Sequence, residues 1–187
     1  LSKGLPSEPL ASAPVLPDLT EAEDDPGLND YRDAVKSYHS IRAALRQDFE
    51  DGKSTRATDY ESAYNNVIDQ FKTVVDKYPN TPSCIRAMGR VTTCYWELEQ
   101  PELVAEYINS LLKDSRYEKS RPYAENLLIP YHLYKKDYQA ALDLSDKILD
   151  KVGKNELACE VLYSKGIIYK YYLEDQNRAC LLYTSPS

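Results

Sequence analysis

The sequence predicts an all-α chain, folded as an antiparallel helix-pair solenoid of about three and a half units. Three observations carry that expectation. Only 6 of 187 residues are Gly, too few for a turn-rich β-fold. Apolar residues recur at helical spacing in one segment after another from Asp30 onward. The stops of alternate segments fall at Pro79, near Asp114 and at Gly153, which are 35 and 39 residues apart, and the starts near Ser83, Arg121 and Glu156 are 38 and 35 apart. Connectors this short force consecutive helices to lie antiparallel as neighbours.

The segments follow in order. Residues 1–29 carry five prolines (Pro6, Pro9, Pro14, Pro17 and Pro26) and an acidic cluster at Glu21, Glu23, Asp24 and Asp25, with no helical or strand period. They read as a disordered, Pro-rich acidic linker, which implies a domain upstream. A repeat domain is expected over 30–179. Its first helix has Tyr31, Ala34, Val35, Tyr38, Ile41, Leu45 and Phe49 on one face and ends at Asp51-Gly52. The second, from Tyr60 to Tyr78, ends where Pro79 and Pro82 cannot continue it. Ser83–Leu98 is the third, and Pro101 breaks it from a fourth that holds Leu103, Val104, Tyr107, Ile108, Leu111 and Leu112. The fifth spans about 121–135 and should kink at Pro130. The sixth closes at Gly153, the seventh runs from Glu156 to about Leu173, and EDQNRA opens an eighth.

Composition narrows the function. Apolar residues make up 42% and charged residues 28%, too apolar for wholesale disorder. The net charge of −7 lacks the basic footprint of a nucleic-acid binder and is repelled by anionic membrane surfaces. No stretch is long and apolar enough for a membrane helix, so no direct membrane insertion is expected. Cys84, Cys94, Cys159 and Cys180 have no C-x-x-C spacing and no paired His, so no metal site is expected. Cys84 and Cys94 stand about 15 Å apart along one helix, too far for a disulfide. All four read as small buried hydrophobes.

Catalytic signals are absent. The two histidines, His39 and His132, sit on separate predicted helices, and no P-loop, G-x-S-x-G, H-E-x-x-H or G-x-G-x-x-G pattern occurs. Carboxylates alternate with lysines along helix faces, as in DLSDKILDK, the pattern of a solvated surface. Glu97 with Glu99, or Asp143 with Asp146, is the kind of acid pair that chance supplies. No enzyme activity and no cofactor are expected.

Two stretches carry a resemblance to a known family. KKDYQAALDLSDKILDKVG resembles the second helix of a tetratricopeptide repeat, with Ala141 at its small position and Gly153 closing the unit. VLYSKGIIYKYYLEDQNRA resembles a first helix, with Leu162, Gly166 and Tyr169 at the large, small and aromatic positions. VIDQFKTVVDKYPNTP is similar to the variant found in bacterial envelope proteins, whose units end in Tyr-Pro followed by Asn and small residues. The resemblance covers about 60–179 and departs at Thr92 and Ile129, where an aromatic and a small residue are expected.

The resemblance implies a concave groove lined by the first helices. Carried over position by position, it offers Arg86 and Arg90; then Tyr123, Asn126 and Tyr134; then Glu160, Tyr163 and Lys170. Arg86 and Arg90 lie one turn apart and point the same way, suited to a carboxylate-bearing peptide. The implied function is a non-catalytic protein–protein interaction or scaffold module, whose partner is a protein or peptide. It would be part of a larger bacterial protein in a periplasmic, outer-membrane-associated or extracellular setting. The alternative is a structural spacer between an upstream functional domain and a C-terminal anchoring or sorting domain.

The last eight residues, CLLYTSPS, break the pattern. They are similar to one reading frame of a transposase-type sequencing adapter, TGT CTC TTA TAC ACA TCT CCG AGC. Residues 180–187 are therefore expected to be foreign to the folded domain, with the eighth helix cut short.

Overall fold

The computed structural model describes residues 25–53, 55–153, 155–175 and 177–178. Those residues are all-helical, with no strand among them. Among the described residues eight α-helices follow in order: α1 (Leu28–Glu50), α2 (Glu61–Lys77), α3 (Pro82–Glu97), α4 (Pro101–Leu112), α5 (Arg121–Asn126), α6 (Ile129–Tyr134), α7 (Tyr138–Val152) and α8 (Glu156–Ile167). Short 3₁₀ turns at Ala57–Tyr60 and Ser115–Ser120 lead into α2 and α5, and a π-helical turn, Ile168–Tyr172, extends α8.

Local chemistry sets the ends. Thr81 caps α3 by accepting from the Cys84 N–H at 3.1 Å, with Pro82 in the first turn, where its missing N–H costs nothing. Asp137 caps α7 and Asn155 caps α8 in the same way. α1 stops at Gly52 (φ 75°), a left-handed position that glycine takes without steric penalty. Pro130 does more than kink its helix. The expected fifth helix is divided at Leu127-Leu128, and Pro130 stands in the first turn of a separate α6, because proline can start a helix but not continue one.

Packing follows the chain. α1 lies on α2 and α3, and α2 on α3. α3 meets α4 and α5, α4 meets α5 and α6, α5 and α6 meet α7, and α7 meets α8. The larger core joins α1 to the end of α5 around Tyr64, Phe71, Met88, Val91 and Ile108. A smaller one joins α6, α7, α8 and the π turn around Ile129, Ala141, Ile148, Val161 and Ile168. Leu144 lies against both. Each large apolar side chain so buried contributes about 1.5–3 kcal/mol.

Several boundaries differ from the sequence reading. Residues before Asp30 are already packed: Ser83 Oγ donates to Asp25 Oδ2 at 2.6 Å, and Gly27 is buried against Tyr78 and Ser83. Phe49, placed on the apolar face of α1, is exposed; the last turn of that helix is held instead through Asp48, which accepts from Tyr60 Oη at 2.6 Å. Cys84 and Cys94 are buried as expected, and burial pushes their thiols up to about 11 and about 12. Cys159, expected to be buried, is exposed on α8, whose buried residues include its neighbours Leu157, Ala158 and Val161. Asn177 and Arg178 are helical. The linker over 1–24, Cys180 and the segment 180–187 lie outside the described residues.

Candidate interaction surface

α3 carries the first pair of candidate residues. Thr92 and Thr93 both donate to the Gly89 carbonyl, at 2.8 and 2.9 Å, so their hydroxyls are satisfied within the helix. Arg86 and Arg90 face α1 from one side of α3. The Arg86 guanidinium lies over the Tyr31 ring at 6.0 Å, and that of Arg90 over the Tyr38 ring at 5.5 Å. Arg86 is only 8% exposed and Arg90 is half-buried. The two arginines share a face, as the spacing predicts, but they do not stand clear of the fold. α1 covers them, a long-range contact invisible in the sequence of α3. Arg86 Nη2 and Arg90 Nε are buried without a hydrogen-bond partner.

A polar cluster adjoins this pair. Glu97 Oε1 accepts from Tyr38 Oη at 2.9 Å and from Arg42 Nη1 at 2.5 Å. Tyr64 Oη is buried beside it without a hydrogen bond of normal geometry, as is Glu97 Oε2. Burial raises the Tyr38 and Tyr64 phenols well above their ordinary range, and the Glu97 charge adds to this.

The second group sits between α5 and α8. Asn126 Nδ2 donates to Glu160 Oε2 at 3.3 Å, so two candidate residues 34 positions apart are brought into contact. Burial, and then the neighbouring Glu156 charge, raise the Glu160 carboxyl above the usual glutamate value. Tyr123 is half-buried against the smaller core. Tyr134 is half exposed, its ring edge-on to Trp96 with centroids 5.7 Å apart. Tyr163 is exposed, and Lys170 lies over the Tyr171 ring at 4.6 Å. Among the described residues, neither Tyr134 nor Tyr163 shares a ring contact or hydrogen bond with the arginines.

Sequence reasoning missed the partners of these residues. Tyr31 and Tyr38 stand seven apart on α1, and their helical spacing was legible, but their pairing with Arg86 and Arg90 was not. Glu125 was missed altogether. It is 1% exposed in α5 and takes Lys147 and Lys151 of α7 at 2.9 and 3.6 Å. The one available signal was Lys147 and Lys151 one turn apart on α7, a basic pair that a carboxylate from a neighbouring helix can span.

His39 and His132 lie on α1 and α6. Among the described residues no group of His, Cys, Asp or Glu is arranged to hold a metal ion, and no helix is long and apolar enough to cross a membrane. No protein family, curated protein or solved structure matches the chain.

Proposed function

We propose that the chain is a tetratricopeptide-like helical-repeat module whose α3–α5–α6–α8 face binds a peptide or a partner protein. The observation that carries this reading is the Asn126–Glu160 hydrogen bond. It links α5 to α8 across 34 residues, about one helix pair, between two positions picked for a shared groove. Contacts of similar reach support it. Asn80 Nδ2 donates to the Arg116 carbonyl at 2.6 Å, and Asn80 Oδ1 accepts from the Ser120 N–H at 3.1 Å, 36 and 40 residues on. An array of helix pairs of about this length would bring such residues together. The half-exposed Tyr134 against Trp96, and the exposed Tyr163, supply rigid amphipathic rings of the kind that anchor partners.

The test is selection of binding peptides by display on the full chain, followed by affinity measurements on surface variants. Tyr134→Ala and Tyr163→Ala should each lower affinity for the selected peptides by about tenfold. Asp69→Ala and Asn109→Ala, at exposed positions of α2 and α4, should leave it unchanged. Failure to select any binder, or binders indifferent to the tyrosines, overturns the proposal and favours a spacer.

A further inference from the structure

We propose that the exposed tyrosines of α8 dock the chain's own Pro-rich segment, and that Pro6-Ser-Glu-Pro9 is the motif they hold. This goes beyond the proposed binding function, because it names a ligand inside the chain and stands whether or not a partner shares Tyr163. Its basis is an uncovered face. Six large apolar or aromatic side chains are exposed among the described residues, and four of them, Tyr163, Tyr171, Tyr172 and Leu173, lie on α8 and its π-helical extension. α8 rests on α7 through its other side, with Leu157, Val161 and Ile168 in the shared core. Between Tyr163 and Tyr171, four residues from each, stands the half-buried Ile167. Eight residues of straight α-helix run about 80° past two full turns. The wider π turn, closed by the Leu173 N–H on the Ile168 carbonyl at 3.1 Å, takes up most of that excess and returns Tyr171 to the face of Tyr163. Two tall rings then flank a low aliphatic step.

That relief suits a polyproline ligand. A P-x-x-P segment prefers the polyproline II helix, with three residues per turn and about 3.1 Å per residue, so its two prolines return on one face about 9 Å apart. Tyr163 and Tyr171 stand about 12 Å apart along the helix, or less through the π turn, so successive turns of the ligand can rest on both rings. Aromatic-lined surfaces take such segments for three reasons: proline rings lie on the flat ring faces, backbone carbonyls left open in this helix accept from phenol hydroxyls, and a pre-ordered ligand loses little entropy. The chain carries two such motifs, Pro6-Ser-Glu-Pro9 and Pro14-Val-Leu-Pro17. Charge agrees with the match: Glu8 lies inside the first motif, and Lys170 lies over the Tyr171 ring.

Reach selects the first motif. Asp25 is held at the start of α3 by Ser83 Oγ. From there α3 packs on α5, α5 on α7 and α7 on α8. Three such steps at about 8–10 Å each make about 24–30 Å, before the climb along α8 to the tyrosines. The eight residues from Asp25 back to Pro17 span about 25 Å as polyproline II, less than a path around the surface requires. The sixteen back to Pro9 span about 50 Å, which covers it.

The experiment uses the full chain and fluorescein-labelled GLPSEPLA, the sequence of residues 4–11, read by fluorescence anisotropy. A peptide with both prolines replaced by alanine is the control. In the natural chain the tethered motif competes for the site, so the free peptide should bind it at least about tenfold more weakly than the chain carrying Pro6→Ala and Pro9→Ala. Tyr163→Ala or Tyr171→Ala in that double variant should abolish binding; both side chains are about half exposed, so the thermal melt should not move. Pro14→Ala with Pro17→Ala should behave as the natural chain does. No binding to the Pro6→Ala, Pro9→Ala chain, equal binding of the control peptide, or full affinity in the tyrosine variants overturns the site. Equal affinity for the natural chain overturns docking within the chain. So does a dimer of the natural chain that Pro6→Ala with Pro9→Ala dissolves, which would place the motif on a second copy. If Pro14→Ala with Pro17→Ala opens the site instead, the choice of motif falls. Display selection tests the module reading separately, and its failure leaves this site standing.

Discussion

α3 and α8 begin alike and end differently. Each is capped by a polar side chain that accepts from the N–H three residues on, and each buries a glycine, Gly89 in the middle of α3 and Gly166 near the end of α8. α3 has α1, α2, α4 and α5 around it, and it buries ten of its sixteen residues, Arg86 and Thr92 among them. α8 rests on α7 and its own π-helical extension, and it leaves Cys159 and Tyr163 in solvent. The fate of a side chain is thus set by how many helices reach it and not by its type: Tyr64 is sealed and Tyr163 is open.

The largest effect expected from this contrast is in the middle of α3. Met88→Ala removes a fully buried side chain that neighbouring helices enclose, and should cost about 2–5 kcal/mol in urea unfolding. Tyr163→Ala, at 58% exposure on α8, should change stability by less than about 0.5 kcal/mol. Equal losses would mean that α8 is covered as α3 is.

Next comes the N-terminal anchor of α3. A Cβ on Gly27 would stand 2.8 Å from Tyr78 Cδ2 and 2.9 Å from Ser83 Cβ, with little room to yield. Gly27→Ala should therefore cost about 1–3 kcal/mol and loosen the start of α1, read as faster hydrogen exchange over 28–34. An unchanged melt would show that the 25–27 segment does not pin α1 to α3.

These two sites mark what was and was not legible in the sequence. α2, α3, α4 and α7 were readable because each has an apolar stripe, and Pro79, Pro82, Pro101 and Gly153 punctuate them where the backbone cannot continue. Pro130 was recognised as a disturbance, but whether it kinks or divides a helix depends on whether neighbours hold the freed carbonyls, which is tertiary information. Arg86 and Arg90 share one face of α3, as their spacing implies, but it is the face that α1 covers. Their burial was hidden, because the covering rings come from residues about fifty positions earlier. Asn126 and Glu160 were each singled out through the resemblance, but the hydrogen bond that joins them was not read from the sequence. Glu125 has no such aid: a buried acid and a surface acid look alike in a helix that also carries Arg121 and Asn126.

Glu125 gives the third prediction, between the two extremes. Its lysine partners are about half exposed, 55% for Lys147 and 41% for Lys151, so water can take them up when the carboxylate is neutralised. Glu125→Gln should cost about 1–2 kcal/mol, less than the 3–5 kcal/mol typical when the abandoned partner is buried. A loss as large as that of Met88→Ala would place α5 with α3 as a fully enclosed element.

The smallest effect belongs to α8 and has a defined sign in pH. Burial, with Glu156 one turn away, raises the Glu160 carboxyl above its ordinary value near 4.5, so the folded chain holds this proton more tightly than the unfolded one. Stability then falls as pH rises from about 4.5 through the raised folded value, and the penalty persists at neutral pH. Glu160→Gln keeps an acceptor for Asn126 and removes the charge. It should raise the melting temperature by about 1–2 °C at pH 7 and leave it unchanged below the ordinary glutamate value. A loss of stability at pH 7 would mean that the carboxylate is held by a cation, and α8 would then be better covered than its exposed Cys159 and Tyr163 indicate. A gain confined to neutral pH keeps α8 as the open counterpart of α3, with an acid retained against its folding cost at the place where α5 and α8 meet.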